Sequence, residues 1–185
     1  PHVAVLNNAG RAHLEGFGSI EGVARAKAEI IHGLADDGVF VFNADDPYAG
    51  LWADLSSGYR QRRFGVSHPA DVSRPAATCE LVWADGRFVT RFPVRYQGAE
   101  IEVRLQLAGE HNRMNALAAI AASLAAGGEL ADVGQGLAEL EPVKGRLCPL
   151  VGPGGARVID DSYNANPDSV LAALDVLAAA PGRRT

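Results

Sequence analysis

Two short apolar runs constrain this chain's fold most strongly. "HVAVLN" (2–7) and "VFVFN" (39–43) are rich in valine and phenylalanine, and their apolar residues do not alternate with polar ones. A strand with that pattern is buried on both faces. Between the runs, Ile20, Val23, Ile30, Ile31 and Leu34 make a helical stripe, with Ser19 placed to cap it and "DDG" (36–38) to end it. "NADDPY" then opens a short helix. Strand, helix, strand, helix in this order predicts a parallel α/β architecture.

The character changes near residue 60. In "CELVWADGRFVTRFPVRYQGAEIEVRLQL" (79–107), Ile101, Val103, Leu105 and Leu107 alternate with Glu102, Arg104 and Gln106. "DG" (85–86) and "QG" (97–98) are hairpin signals. The segment therefore reads as three antiparallel strands with one wet face. Two helices follow, over 112–126 and 129–140. "EPVKGRLCPLVGPGG" (141–155) reads as a hinge or linker. "ARVIDDSY" restarts a strand. "NPDSVLAALDVLAAAPG" is an amphipathic helix, with Asn166 as cap, Pro167 at its first position, and Val170, Leu171, Leu174 and Leu177 as its stripe. A boundary near residue 147 is expected, with 148–185 starting a new α/β domain.

Composition narrows the function classes. The 185 residues are 48% hydrophobic, enough for a sizeable core. The net charge of -5 speaks against a general nucleic-acid binder. Cys79 and Cys148 stand far apart, which suits neither a disulfide framework nor a zinc site and fits a reducing compartment. "ALAAIAASLAA" (116–126) falls well short of the ~20 residues a membrane span needs. The chain opens on Pro1 straight into a strand and ends just after a helix, as a piece of a longer protein would.

Several residues could carry chemistry. Lys27 stands in the middle of the first helical stripe. Either it snorkels to water, or it is held partly buried, where a neutral amine becomes accessible. Such an amine can add carbon dioxide, and the resulting carbamate is a carboxylate-like ligand for a hard cation. His13, in the loop leading to the same helix, either hydrogen-bonds its turn or joins Lys27 at a metal-and-phosphate edge. Asn112 and Asn115 are three apart at a helix start, and their amides suit a purine edge, although capping explains one of them. Arg146 in "VKGRL" is either a solvated linker charge or a phosphate contact between domains. Asp160 and Asp161 end a predicted strand, where a carboxylate can accept ribose hydroxyls. Tyr163, Asn164 and Asn166 follow, more polar residues than an Asx turn needs. No GxxxxGK[ST] or GxGxxG loop is present, so any main phosphate cradle lies outside these residues.

Taken together, "NNAGRAHLEGFGSIEGVARAKAEI", "VFNADDP", "GEHNRMNALAA", "KGRL" and "IDDSYNANPDSV" resemble segments of the Mur ligases, in the family's order and from end to end. These are ATP-dependent enzymes of peptidoglycan precursor synthesis. "AHLEGFGS" and "DDSYNANP" point to the branch that adds D-alanyl-D-alanine to UDP-N-acetylmuramoyl-tripeptide. The resemblance implies the later part of a central P-loop-type ATPase domain (1–147), including the β-rich segment, then the start of a Rossmann-like C-terminal domain (148–185). It implies ATP and Mg2+ as cofactors, an acyl phosphate intermediate, a monomeric full-length enzyme in the bacterial cytoplasm, and an inactive fragment. It makes His13 a magnesium ligand and Lys27 a carbamylated one. Asn112 and Asn115 would contact adenine, Arg146 the nucleotide near the hinge, and Asp161 the ribose, with Tyr163 and Asn166 near the phosphates. A sister ligase of the Mur or folylpolyglutamate-synthase type with another acceptor, or a nucleotide-binding module without activity, fits many of the same residues.

Overall fold

The computed structural model describes residues 1–10, 14–76, 79–180 and 182. Strand β1 (Val3–Leu6) pairs in parallel with β2 (Val39–Asn43), and β2 pairs in parallel with β3 (Arg60–Gly65). The connection from β1 to β2 runs through α1 (Leu14–Phe17), α2 (Ile20–Ala28) and a 3-10 segment, Glu29–Gly33. Helix α3 (Ala49–Leu55) connects β2 to β3. The short β4 (Val72–Ser73) adds in parallel to β3. From there the sheet turns antiparallel through β5 (Glu80–Ala84), β6 (Arg87–Tyr96) and β7 (Ala99–Leu105). The result is one mixed seven-stranded sheet. The expected parallel α/β start and three-stranded meander are both present. Strands β3 and β4 carry no apolar alternation and were not expected.

Strand β2 shows how the layers form. Alternate side chains of a strand point to opposite faces. Val39 and Val41 join Phe64, Leu117 and Ile120 on one face, against α4 (Glu110–Ala125). Phe40 and Phe42 join Ala24, Ile31 and Trp52 on the other, against α2 and α3. The Trp52 indole N–H donates to the Ala24 carbonyl at 3.2 Å, which ties α3 to α2. Ser19 caps α2 as expected, accepting from Gly22 N at 3.0 Å. The stripe itself shifts. The chain tightens to a 3-10 turn after Ala28, so Ile31 and Leu34 stay buried while Ile30 is turned outward.

Both expected hairpin turns form. Asp85 and Gly86 have φ of 51° and 74°, and Gln97 and Gly98 have 49° and 83°. Two successive left-handed residues match the right-handed twist of the flanking strands, and glycine takes the second position without strain. Helix α5 (Leu130–Ala138) follows α4 after Gly127 and Gly128.

The C-terminal segment departs from expectation in two ways. "CPLV", assigned to the linker, is strand β8 (Cys148–Val151) and pairs antiparallel with β9 (Arg157–Asp160). Helix α6 (Pro167–Ala179) is capped by Asn166 as expected, but its buried face is a different one. Val176 and Ala173 pack with Trp83, Phe88, Ala108 and Leu147, while Val170, Leu171 and Leu174 are exposed. Among the described residues, no helix is long and apolar enough to cross a membrane.

Candidate functional site

The loop after β1, the start of α4, the chain before β8 and the loop after β9 face a common region. Asn112, Asn115, Arg146, Asp161, Tyr163 and Asn166 all line one cavity of about 640 Å³ there, together with Asn8, Gly10 and His111. That volume lies within the range of small-molecule sites. With Asn164, seven residues singled out from the sequence thus converge, while Asp160 does not line the cavity. His13 lies outside the described residues.

Helix α4 starts at Glu110, so Asn112 lies within its first turn and is not its cap. Its amide nitrogen donates to the Ala108 carbonyl at 2.7 Å. Asn115, one turn on, accepts from the Asn7 amide at 2.6 Å, and its own nitrogen approaches the Asn112 oxygen at 3.5 Å. The Asn112 oxygen and the Asn115 nitrogen therefore have capacity to spare. One accepts and the other donates, side by side at the cavity wall.

Three contacts join residues 145–147 to the loop after β9. Leu147 N donates to Asp161 Oδ1 at 3.1 Å, and Tyr163 N donates to the Gly145 carbonyl at 2.9 Å. The Arg146 guanidinium lies 4.0 Å from the centre of the Tyr163 ring. Stacking holds the guanidinium by its face and leaves its edge donors free for an anion. Asn166 accepts from Ser169 N at 2.9 Å, so it caps α6 and lines the cavity at once.

Lys27 lies in the last turn of α2. The residue is exposed, not buried in the stripe, because Val23, Ala24 and Ala28 supply the helix's contact with the sheet. Its ammonium donates to the Asn8 carbonyl at 2.8 Å. Lys27 does not line the cavity, but it is tied to a residue that does.

Several site residues escaped the sequence reading. Asn7 reaches Asn115 across 108 positions, and no local pattern announces such a bond. His111 was overlooked beside two asparagines. Its ring packs so closely under Gly109, at φ 97°, that a Cβ there would lie 2.6 Å from it. Burial of part of the ring lowers the His111 pKa, partly offset by the Asp161 and Glu110 carboxylates, and Arg113 adds to the lowering. Glu110, next in the chain, is raised by burial but lowered more by Arg113 and Arg74, with both of which it pairs.

The mixed sheet with helices on its faces, and the polar groups gathered on one cavity beside its parallel part, define the class of α/β protein. Residues 1–123 match the Mur ligase middle domain, and the chain belongs to the Mur ligase family. It is 42% identical over 184 residues to the UDP-N-acetylmuramoyl-tripeptide--D-alanyl-D-alanine ligase of Escherichia coli, covering 100% of this chain and 40% of that protein. Among solved structures, MurF of Acinetobacter baumannii superposes with a TM-score of 0.86 at 36% identity, over 96% of this chain and 37% of that one. MurF of Thermotoga maritima, solved in complex with ADP, gives 0.80 at 27% identity, over 99% and 40%. The chain thus spans about two fifths of the length of such relatives.

Proposed function

We propose that this chain is part of an ATP-dependent, ADP-forming amide ligase that joins D-alanyl-D-alanine to UDP-N-acetylmuramoyl-tripeptide. The observation that carries this reading is the convergence of Asn112, Asn115, Arg146, Asp161, Tyr163 and Asn166 on one cavity. Whole-chain identity to a relative of that name supports the choice of acceptor. In this reading residues 1–147 belong to the central ATP-binding domain and 148–185 begin the C-terminal one.

Each side chain then has a role its geometry allows. The spare Asn112 oxygen accepts from the adenine amino group, and the spare Asn115 nitrogen donates to the neighbouring ring nitrogen. The Asp161 carboxylate, with one oxygen on Leu147 N, offers the other to a ribose hydroxyl. Arg146, held flat on Tyr163, turns its edge donors to phosphate oxygens, with Asn166 beside them. ATP phosphorylates the tripeptide carboxylate, and the dipeptide amine displaces that phosphate to leave the amide, ADP and phosphate. Such a transfer depends on positioning and on charge stabilisation.

Magnesium has a narrower fit. Among the described residues, no group of three His, Cys, Asp or Glu side chains could hold a metal ion. A bare ammonium repels a cation, so Lys27 would hold magnesium only as its carbamate, together with His13. When bound, the ion would offset phosphate charge.

The test is phosphate release by the full-length protein, given ATP, magnesium and UDP-N-acetylmuramoyl-tripeptide, with and without D-alanyl-D-alanine. Release that requires the dipeptide is expected, and Asn112→Ala should raise the KM for ATP about tenfold, the loss of roughly one good hydrogen bond. Release triggered by a different amine would instead identify a sister ligase. No release with any acceptor would leave a nucleotide-binding module.

A further inference from the structure

The segment "VFNADDP" has no role in the site as described so far, yet its two carboxylates make more loop contacts than a turn requires. Strand β2 lies between β1 and β3, and all three run parallel. Their C-terminal ends therefore share one edge, and the chain leaving β2 emerges between two loops. Asp45 turns toward the β3 side and accepts from Val66 N, Ser67 N and His68 N, at 2.6, 3.0 and 2.8 Å. Asp46 turns toward the β1 side. Its Oδ2 accepts from Ala9 N at 2.8 Å, and its Oδ1 accepts from Tyr48 N at 2.9 Å.

The loop that Asp46 grips is the one tied to the site. Three consecutive residues hold it at three points: the Asn7 amide on Asn115, the Asn8 carbonyl on Lys27, and the Ala9 N–H on Asp46. The first two contacts end on flexible side chains of helices. Asp46 sits in the turn just after the buried central strand β2, and its bond, like that of Lys27, is charge-assisted. Because the same carboxylate accepts from Tyr48 N within its own turn, it ties the loop of Asn7 to Ala9 to the chain leaving β2.

We infer that Asp46 is a positioning residue for nucleotide binding, acting through the Ala9 amide to fix the loop that links Asn115 to Lys27. The inference rests on the nucleotide reading of the cavity. It assigns Asp46 no contact with the ligand. Asp45, on the opposite loop, does the same kind of structural work away from the cavity and supplies a matched control.

The experiment compares Asp46→Asn and Asp45→Asn in the full-length protein, measuring the Kd for ADP with magnesium by calorimetry, together with the melting temperature. Asparagine is isosteric, and its oxygen can still accept from Tyr48 N, but its amide would then face the Ala9 donor. Asp46→Asn is expected to weaken ADP binding about tenfold, the lower end of what losing an outer-shell partner costs. Asp45→Asn should lower the melting temperature at least as much while leaving the Kd unchanged. Asp46→Ser, which can cap Tyr48 but is too short to reach Ala9, should reproduce the weakening if the asparagine variant fails to fold. Equal Kd values for the wild type and a folded Asp46 variant would overturn the inference and leave the nucleotide reading standing. A wild-type protein that binds no nucleotide would overturn both.

Discussion

Strand β2 is buried along most of its length, whereas β7, in the same sheet, leaves Glu102 and Arg104 to water in alternation with Val103 and Leu105. The first belongs to a parallel arrangement with helices on both faces, the second to a meander joined by tight turns. The difference decides where a site can form. Parallel strands must be joined by long crossovers, so their C-terminal ends release several loops at one edge. Asn7, Asn8 and the two carboxylates after β2 all come from that edge. The hairpins spend two residues on each turn and bring none of the proposed site residues. Their contribution is a wall: Trp83 and Phe88 pack edge to face, with centroids 4.8 Å apart, and seat Val176 of α6.

The largest test of this contrast is Trp52→Ala. Trp52 has no exposed surface and fills the layer between β2 and α2. Removing it should cost about 3–5 kcal/mol, the usual range for a buried tryptophan, and also leaves the Ala24 carbonyl without its donor. Urea unfolding should show the loss. A cost below about 1 kcal/mol would mean that this layer is not what holds the site edge in place.

A smaller effect is expected from Asp45, and its sign can be worked out. Burial raises its pKa, but the backbone donors of Val66, His68 and Ser67, with the His68 ring at 3.1 Å, lower it further than burial raises it. The folded carboxyl therefore titrates below its ordinary 3.8. Its stabilisation is complete above that value and is lost as pH falls through the lower folded value. Thermal melts of the wild type and Asp45→Asn should differ at neutral pH and converge in acid. A constant difference down to the acid limit would show that the carboxylate charge contributes nothing to holding loop 65–68.

How much of this was legible in the sequence follows the same contrast. β1 and β2 stood out as apolar runs, and the meander was marked by its alternation and its two turn dipeptides. Strand β3 was invisible because "RQRR" has no apolar face of its own. It is a strand through its pairing with β2, with Phe64 as a buried anchor and Arg62 laid 5.3 Å from the centre of the Tyr96 ring. The face of α6 was misread because leucines outweigh alanines in hydropathy, whereas Ala173 and Val176 are the residues packed with Trp83 and Phe88. In the site, residues at strand ends and helix starts declared themselves by being more polar than a turn needs. Asn7 and Asp46 did not, because each acts through one hydrogen bond to a distant segment.

The smallest expected effect comes from the ion pairs of the meander. Arg95 Nε meets Glu100 Oε2 at 2.6 Å beside the second hairpin turn, the two side chains being 60% and 49% exposed. Good geometry at the surface gains little, because water screens the charges and two long side chains lose freedom in forming the pair. A double-mutant cycle with Arg95→Ala and Glu100→Ala should give a coupling under about 1 kcal/mol, falling further in added salt. A coupling of several kcal/mol would break the comparison, because the meander would then depend on charge pairing as the parallel half depends on apolar burial. A small one places the meander's stability in Phe92, Val94, Val103 and Leu105, the buried side of its two longest strands, and leaves its wet face free to vary.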